Sequence, residues 1–309
     1  MIQFTIKSLN ISAEKGTVKQ PLESVVITEE GLKADAHAGK WHRQVSLLGT
    51  ESIRKAEEQN NRSFAFGDFG ENITTEGIEL YKTNILDRFQ SGEVILEVTQ
   101  IGKKCHKGCE IMKISGNCIM PVEGIFCRVI RTGTLNVNDT FIYLPRVIRI
   151  AVITLSDRAF EGVYEDKSGP MAVRLLEDFF SGQGRPVHFE RQVIPDNPDQ
   201  LGEIIRRYSG DEFDFIFTTG GTGIGLRDIT PEVVKRMIDK EIPGIMELIR
   251  YKYGSVHPNA LLSRGVAGVI GRSLIYTLPG SVKAVHEYLA EITKTMEHSL
   301  RMLSGIDFH

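Results

Sequence analysis

The residues best suited to chemistry lie in the run Thr218-Thr219-Gly220-Gly221-Thr222-Gly223, continued by Ile224-Gly225-Leu226-Arg227-Asp228-Ile229-Thr230-Pro231. A strand-like segment, 213–218, runs into it, and a helix-like segment, 231–239, leaves it. Strand, glycine loop and helix in that order build an anion site. Glycines let the backbone come close to a phosphate, loop amides can point at it, and the helix N-terminus adds partial positive charge. Thr230 is expected as the N-cap, with Pro231 at the first helical position. Two familiar phosphate loops are excluded by spelling. A P-loop needs a Lys-Ser/Thr pair after its last glycine, and Gly225 is followed by Leu226-Arg227; the dinucleotide fingerprint needs G-x-G-x-x-G, whereas Gly221, Gly223 and Gly225 alternate. A Gly-Gly pair alone would also serve a tight turn that binds nothing.

Two acids add to the loop. Asp228 stands where a carboxylate can hold Mg²⁺ beside phosphates, since Mg²⁺ is usually held by one or two carboxylates plus phosphate oxygens. Asp196, in Ile194-Pro195-Asp196-Asn197, follows the second strand-like segment of the same half. In a parallel sheet both loops open at the edge where ligands bind. Read singly, Asp228 is a helix-flanking acid favoured by the dipole, and Asp196 an ordinary turn aspartate.

A second chemical neighbourhood is the cysteine window. All four cysteines, Cys105, Cys109, Cys118 and Cys127, fall within it. Lysines 103, 104 and 107 and His106 surround Cys105, a setting that lowers a thiol pKa and favours the thiolate. Zinc binding by Cys105, His106, Cys109 and Cys118 is an alternative, although Cys-x₃-Cys is a weak spacing for it. Cys127, within an apolar segment, reads as a small buried hydrophobe.

The elements that must carry these residues differ between the two halves. From 1 to 145 the text is strand-like: 24–28, 94–98, 126–130 and 141–144 are short and β-branched, residues 135–140 read as a polar turn, and one helix runs from Thr50 as N-cap through 59. This predicts a mostly-β barrel. After Pro145 the segments alternate: strands 150–155, 187–193 and 213–218, helices 168–180, 198–208 and 231–239, a hairpin 266–270/273–278 turning at Gly271-Arg272, and a last amphipathic helix, 282–303. This predicts an α/β layered domain over 146–309 with a mostly parallel sheet. The length of 309 residues suits two domains. A net charge of −3 argues against non-specific nucleic-acid binding. The N-terminus reads without a signal peptide, and no apolar run approaches the ~20 residues that cross a bilayer. A cytoplasmic protein is expected.

Residues 147–305 resemble the molybdopterin adenylyltransferase (Mog/MoaB-type) family. The matching text is Leu155-Ser156-Asp157-Arg158, Tyr164-Glu165-Asp166-Lys167-Ser168-Gly169-Pro170, Pro195-Asp196 and the glycine loop through Pro231. It continues in Pro243-Gly244-Ile245-Met246-Glu247-Leu248, Leu262-Ser263-Arg264 and Leu278-Pro279-Gly280-Ser281. The resemblance implies a molybdopterin-binding fold and transfer of AMP from Mg-ATP to the terminal phosphate of molybdopterin. It implies Asp196 and Asp228 as the catalytic, Mg-linked acids, and Thr219, Gly220, Gly221, Thr222 and Gly223 as the phosphate cradle. Asp157, Ser168, Glu247, Ser263, Arg264, Pro279, Gly280 and Ser281 would line the ligand site. A homo-oligomer, trimer or higher, is implied as well.

Residues 5–143 resemble the MOSC domain, the C-terminal module of molybdenum cofactor sulfurases. The blocks are Gly31-Leu32-Lys33-Ala34-Asp35-Ala36-His37, Arg43-Gln44-Val45-Ser46-Leu47-Leu48, Gly67-Asp68-Phe69-Gly70-Glu71-Asn72-Ile73, and Cys105. Ala34 departs from the pattern, which commonly has Gly there. The resemblance implies a barrel that handles sulfur or holds the molybdenum cofactor, with Cys105 (Cys109 second) as a molybdenum ligand and His37 and Arg43 as pterin-binding residues. The expected function is therefore cofactor assembly in two stations, handling molybdenum or tungsten. The alternatives are a non-catalytic molybdopterin carrier or scaffold for other cofactor-assembly proteins, and a cysteine-based transferase or oxidoreductase centred on Cys105.

Overall fold

The computed structural model describes residues 2–104 and 118–306. Cys105, His106 and Cys109 lie outside the described residues, and with them both the molybdenum-ligand and the zinc expectations. The chain divides into two compact units, one built on Met1–Arg146 and one on Val147–Gly305.

The first unit carries strands β1 (Gln3–Ile11), β2 (Gln20–Leu22), β3 (Ser24–Thr28), β4 (Gly31–Leu32), β5 (Val45–Gly49), β6 (Ile73–Glu76), β7 (Arg88–Ser91), β8 (Val94–Ile101), β9 (Ile125–Arg131), β10 (Gly133–Asn136) and β11 (Thr140–Leu144). Among the described residues one sheet runs β11-β7-β8-β9-β5-β6-β1-β2, and β1 also pairs with β11, which closes a barrel. The alternation of β1 turns Phe4 and Ile6 toward the buried interior. Inside, Phe4 meets Phe89 edge-on at 5.1 Å and stacks on Phe141 at 5.3 Å. Strands β10, β3 and β4 form a second small sheet. The polar turn expected at 135–140 is therefore partly strand: Leu135 is buried and pairs with Val25. Helix α1 (Thr50–Asn60) starts one residue earlier than expected, with Gly49 at the N-cap and Thr50 buried inside the first turn. Burial of the Thr50 hydroxyl removes it from capping.

The second unit carries β12 (Ile148–Leu155), α2 (Asp157–Phe160), α3 (Ser168–Ser181), β13 (Val187–Ile194), α4 (Pro198–Gly210), β14 (Phe215–Thr219), α5 (Thr230–Lys235), β15 (Lys240–Glu241), α6 (Pro243–Gly254), β16 (Ala267–Ile270), β17 (Ser273–Leu278) and α7 (Val282–Leu303). Its sheet runs β13-β12-β14-β17-β16-β15. β12 pairs in parallel with β13 and β14, and β14 with β17; the hairpin β16–β17 and the short β15 are antiparallel. Both faces are covered, which is why these strands are nearly continuously apolar. Ile153, Ile216 and Ile275 point to Leu201 and Ile205 of α4. On the other face Phe180 of α3 meets Phe215 at 5.9 Å, and Phe217 stacks on Tyr276 at 5.3 Å. No helix among the described residues is long and apolar enough to cross a membrane.

Candidate functional site

The loops that follow β12, β13, β14 and β17 leave the sheet at its carboxyl edge, where open α/β sheets bind ligands. The glycine loop is built by contacts that forbid side chains. Gly220 has φ +98°, and a Cβ there would lie 2.4 Å from the Leu155 carbonyl oxygen. Its amide donates to the Leu278 carbonyl at 2.9 Å, and its carbonyl accepts from the Thr230 hydroxyl at 2.9 Å. Thr230 is therefore not the expected N-cap. It is the first residue of α5, Ile229 precedes it without a side-chain cap, and its hydroxyl closes the glycine loop instead. That helix is also shorter than expected.

Arg264 staples the far side of the loop. Its amide donates to Thr222 O at 2.9 Å, its Nε to Gly223 O at 2.6 Å and its Nη2 to Asp228 O at 2.8 Å, while Nη1 pairs with Glu232. Asp228 is held from within, its Oδ2 accepting the Gly225 amide at 2.7 Å. A Cβ on Gly223 or Gly225 would come within 2.8 or 2.9 Å of that carboxylate, so these two glycines make room for Asp228. Behind the loop a hydroxyl cluster links Thr219, Thr154 and Ser168 to Asp166, which also takes the amides of Ser168 and Gly169. The turn through Pro279 brings Gly280 against Gly220, where a Cβ would sit 3.4 Å from the Gly220 Cα; Ser281 then caps α7.

Asp157 and Asp196 bind each other's backbones. The Asp196 amide donates to Asp157 Oδ1 at 2.9 Å, and the Asp157 amide to Asp196 Oδ2 at 3.4 Å. Arg227 reaches back from the glycine loop to Asp157 Oδ2 at 3.2 Å. Partial burial pushes the Asp196 carboxyl above its ordinary value, and the charges of Asp157 and Asp228 push the same way against Arg227. The three acids thus share one field. Among the described residues no group of three side chains forms a ready-made metal site.

Other expected residues stand apart from the loop. Ser263 accepts a hydrogen bond from the Tyr288 hydroxyl at 2.7 Å and, with Arg264, lines a cavity of about 390 Å³ between Pro231, Met246 and Arg250. Glu247 is exposed on α6 and is not among the residues lining that cavity. Reasoning from sequence passed over Arg227 and Asp166 as site residues, although both lie in the quoted motifs; an Asp two residues before a Ser at a helix start was the available signal for Asp166.

In the first unit the three sequence blocks converge. Asn72 accepts from the Ser46 amide and hydroxyl, joining the second and third, and Lys19 joins the first to the third. The Lys19 Nζ is 2.5 Å from Asp35 Oδ2 and 3.4 Å from His37 Nδ1, with side-chain exposures of 0% and 1% for Lys19 and Asp35. Burial pulls the Lys19 ammonium down against the pull of Asp35. Burial alone would raise Asp35, but hydrogen bonds from His37 and Lys19 hold its carboxyl well below the carboxylate range. Arg43 stacks over Trp41 at 4.8 Å and Lys15 lies 5.7 Å from the same ring, so two cations border one aromatic platform, whose indole N–H donates to the His37 carbonyl at 2.9 Å. Lys19, between Val18 and Gln20, belongs to none of the motifs read from the sequence. Ala34 adopts φ +67°, the backbone for which its customary Gly is suited. Cys127 is fully buried on β9, and burial pushes its thiol up, so it is an inert core residue.

A closed β-barrel precedes an α/β unit with a glycine loop and clustered carboxylates at the carboxyl edge of its sheet, which makes a two-module protein with a candidate anion-binding site. The comparisons are specific. Residues 151–298 match the family model described as "Probable molybdopterin binding domain", and residues 34–141 match the MOSC domain. The chain is 36% identical over 161 residues to the molybdopterin adenylyltransferase of Helicobacter pylori (strain J99), covering 52% of this chain and 90% of that protein. It is 39% identical over 153 residues to molybdenum cofactor biosynthesis protein B of Staphylococcus carnosus, covering 49% of this chain and 87% of that protein. The solved MoaB of Thermus thermophilus superposes with a TM-score of 0.46 at 36% identity, over 51% of this chain and 97% of the other. The chain belongs, through its C-terminal half, to the molybdopterin adenylyltransferase family, with a MOSC domain before it.

Proposed function

We propose that the C-terminal unit transfers AMP from Mg-ATP to the terminal phosphate of molybdopterin. A phosphate oxygen of the pterin attacks the α-phosphorus of ATP, the bond to the β-phosphate breaks, and pyrophosphate leaves. The reading is carried by one observation: the glycine loop, Asp228, Asp196 and Asp157 meet at the carboxyl edge of the sheet. Two polyanions must be brought together, so such a site needs charge neutralisation and positioning rather than a covalent nucleophile. The residues present suit Mg²⁺. Asp228 and Asp196 offer hard oxygen ligands, the glycine cradle leaves room beside Asp228, and two carboxylates with phosphate oxygens complete the usual set. When bound, Mg²⁺ would offset the charge gathering between the phosphates. Thr219 to Gly223 shape the phosphate seat, and Arg264 keeps it rigid. The strand pairing supports assigning a molybdopterin-binding fold with a mostly parallel sheet, and the boundary, expected at 145/146, belongs to the stretch between Leu144 and Ile148.

The first unit, in this reading, holds the pterin or the metallated cofactor at the basic, aromatic rim of His37, Arg43 and Trp41, with Cys105 as the metal ligand. Exposed Leu248, Tyr251, Val256, Leu261 and Leu262 support association into a homo-oligomer, which this reading takes as a trimer or higher, in the cytoplasm. The test supplies purified protein with Mg-ATP and molybdopterin and follows adenylylated pterin and pyrophosphate. Both should form. Folded protein that binds molybdopterin yet makes neither product would refute the transferase and leave a carrier.

A further inference from the structure

Among the described residues, Arg227 is a cation at the acidic rim of the site that is held by a single side-chain contact. Arg264 is bound on every nitrogen of its guanidinium to the loop backbone or Glu232, so it cannot turn toward an arriving phosphate without dismantling the cradle. Arg191 lies on Asp166, which anchors the hydroxyls behind the loop. Arg227 is different. Its side chain is 74% exposed, and it meets Asp157 through a single nitrogen, Nη1, at 3.2 Å. It is the immediate neighbour of Asp228, on the stretch where Gly225 bonds the Asp228 carboxylate. Without a cation, Asp157, Asp196 and Asp228 would present only negative charge to an incoming triphosphate.

Resting on the adenylyl-transfer reading above, we propose that Arg227 is the polyphosphate clamp of this site. It is parked on Asp157 while the site is empty and exchanged onto phosphate oxygens when nucleotide binds. The exchange is chemically easy in the right direction. Exposed ion pairs alter equilibria only about two- to five-fold, whereas an arginine contact to phosphate in a partly dry site alters them on the order of ten- to hundred-fold. Leaving Asp157 also frees its Oδ2, while Oδ1 keeps its bond to the Asp196 amide, so the loops after β12 and β13 stay joined during the exchange. Arg227 thereby neutralises part of the acid cluster before nucleotide arrives and part of the nucleotide afterwards.

The test is a calorimetric titration of the full chain with the magnesium complex of α,β-methylene ATP, which binds without being turned over. Wild type, Arg227→Ala, Arg227→Lys, Asp157→Asn and the Arg227→Ala/Asp157→Asn double variant are compared, with thermal melting to show that each is folded. Arg227→Ala should weaken binding about tenfold or more, and Arg227→Lys should fall between, because lysine keeps the charge but not the planar fork. Asp157→Asn should tighten binding about two- to five-fold in the presence of Arg227, and that gain should shrink or vanish in the Arg227→Ala background. Simple removal of a negative charge would give the same gain in both backgrounds, and that result would overturn the exchange. Unchanged affinity of Arg227→Ala, in a protein whose wild type binds and turns over, would overturn the clamp alone. A folded wild type that neither binds the nucleotide nor forms adenylylated pterin would overturn the functional reading first, and this inference with it.

Discussion

Replacing Gly220 by alanine tests the architecture of the loop most directly. The residue has φ +98°, and an added Cβ would lie 2.4 Å from the Leu155 carbonyl oxygen, a backbone atom at the end of β12. Gly220 cannot swing aside, because its amide is bound to Leu278 and its carbonyl to the Thr230 hydroxyl. A left-handed backbone costs an L-residue about 1–2 kcal/mol, and forcing an extra methyl into a packed site costs about 1–3 kcal/mol. Reduced freedom of the unfolded chain returns about 0.4–1 kcal/mol. The balance is a loss of about 2–4 kcal/mol, or roughly 5–15 °C in the melting of a unit this size. Gly184 is the control, with φ +67° and nothing within 4 Å of its would-be Cβ. Gly184→Ala keeps the backbone term and lacks the clash, so it should cost at most about 1.5 kcal/mol. Differential scanning calorimetry of the whole chain separates the two units. The transition of Val147–Gly305 should fall for Gly220→Ala while the other stays in place. If Gly220→Ala melts no lower than Gly184→Ala, the close approach to Leu155 is not what dictates glycine here.

Asp228→Asn should abolish adenylylated-pterin formation while leaving the melting curve nearly unchanged, because the amide oxygen can still accept from the Gly225 amide. Ala34→Gly should stabilise the first unit by about 1 kcal/mol by relieving its left-handed strain, read as a raised denaturation midpoint. Lys19→Met should destabilise that unit by about 3–5 kcal/mol, since it leaves Asp35 buried without its cation; urea titration measures it. The same pair sets an acid limit. Asp35 is depressed in the folded state, so its stabilisation is present above the unfolded carboxyl pKa and is lost as pH falls below it. Wild type should therefore lose stability in acid more steeply than Asp35→Asn, in equilibrium unfolding from neutral pH downward.

The second half was legible because its signals were local. Nearly continuous apolar strands, Pro at helix starts and the amphipathic run of α7 each follow from short-range rules, and the structure has α7 at Val282–Leu303 as its periodicity implied. Helix α6 was harder to see: Pro243-Gly244 opens it, but only Met246, Ile249 and Gly254 are buried, so its periodicity is faint. In the barrel, closure depends on β1 pairing with β6 and β11, partners far along the chain that no local pattern specifies. Site residues divided in the same way. The loop glycines and Asp228 lie together in sequence, whereas the mutual binding of Asp157 and Asp196 and the return of Arg227 across to Asp157 exist only once three strands are side by side. Thr230 misled for a related reason. Its hydroxyl could either accept from the first amides of the helix or donate to Gly220 O, and the tertiary donation prevailed.

The hydroxyl cluster beneath the loop contains an unresolved choice of its own. Thr154 and Ser168 each direct their one hydroxyl hydrogen to Asp166. Both therefore face Thr219 as acceptors, at 3.3 and 3.0 Å, and Thr219 has a single hydrogen to give. That hydrogen therefore has two acceptors to choose between, the nearer being Ser168. The floor of the proposed phosphate seat thus has a hydrogen with two acceptors in reach, one of which it must leave unfilled.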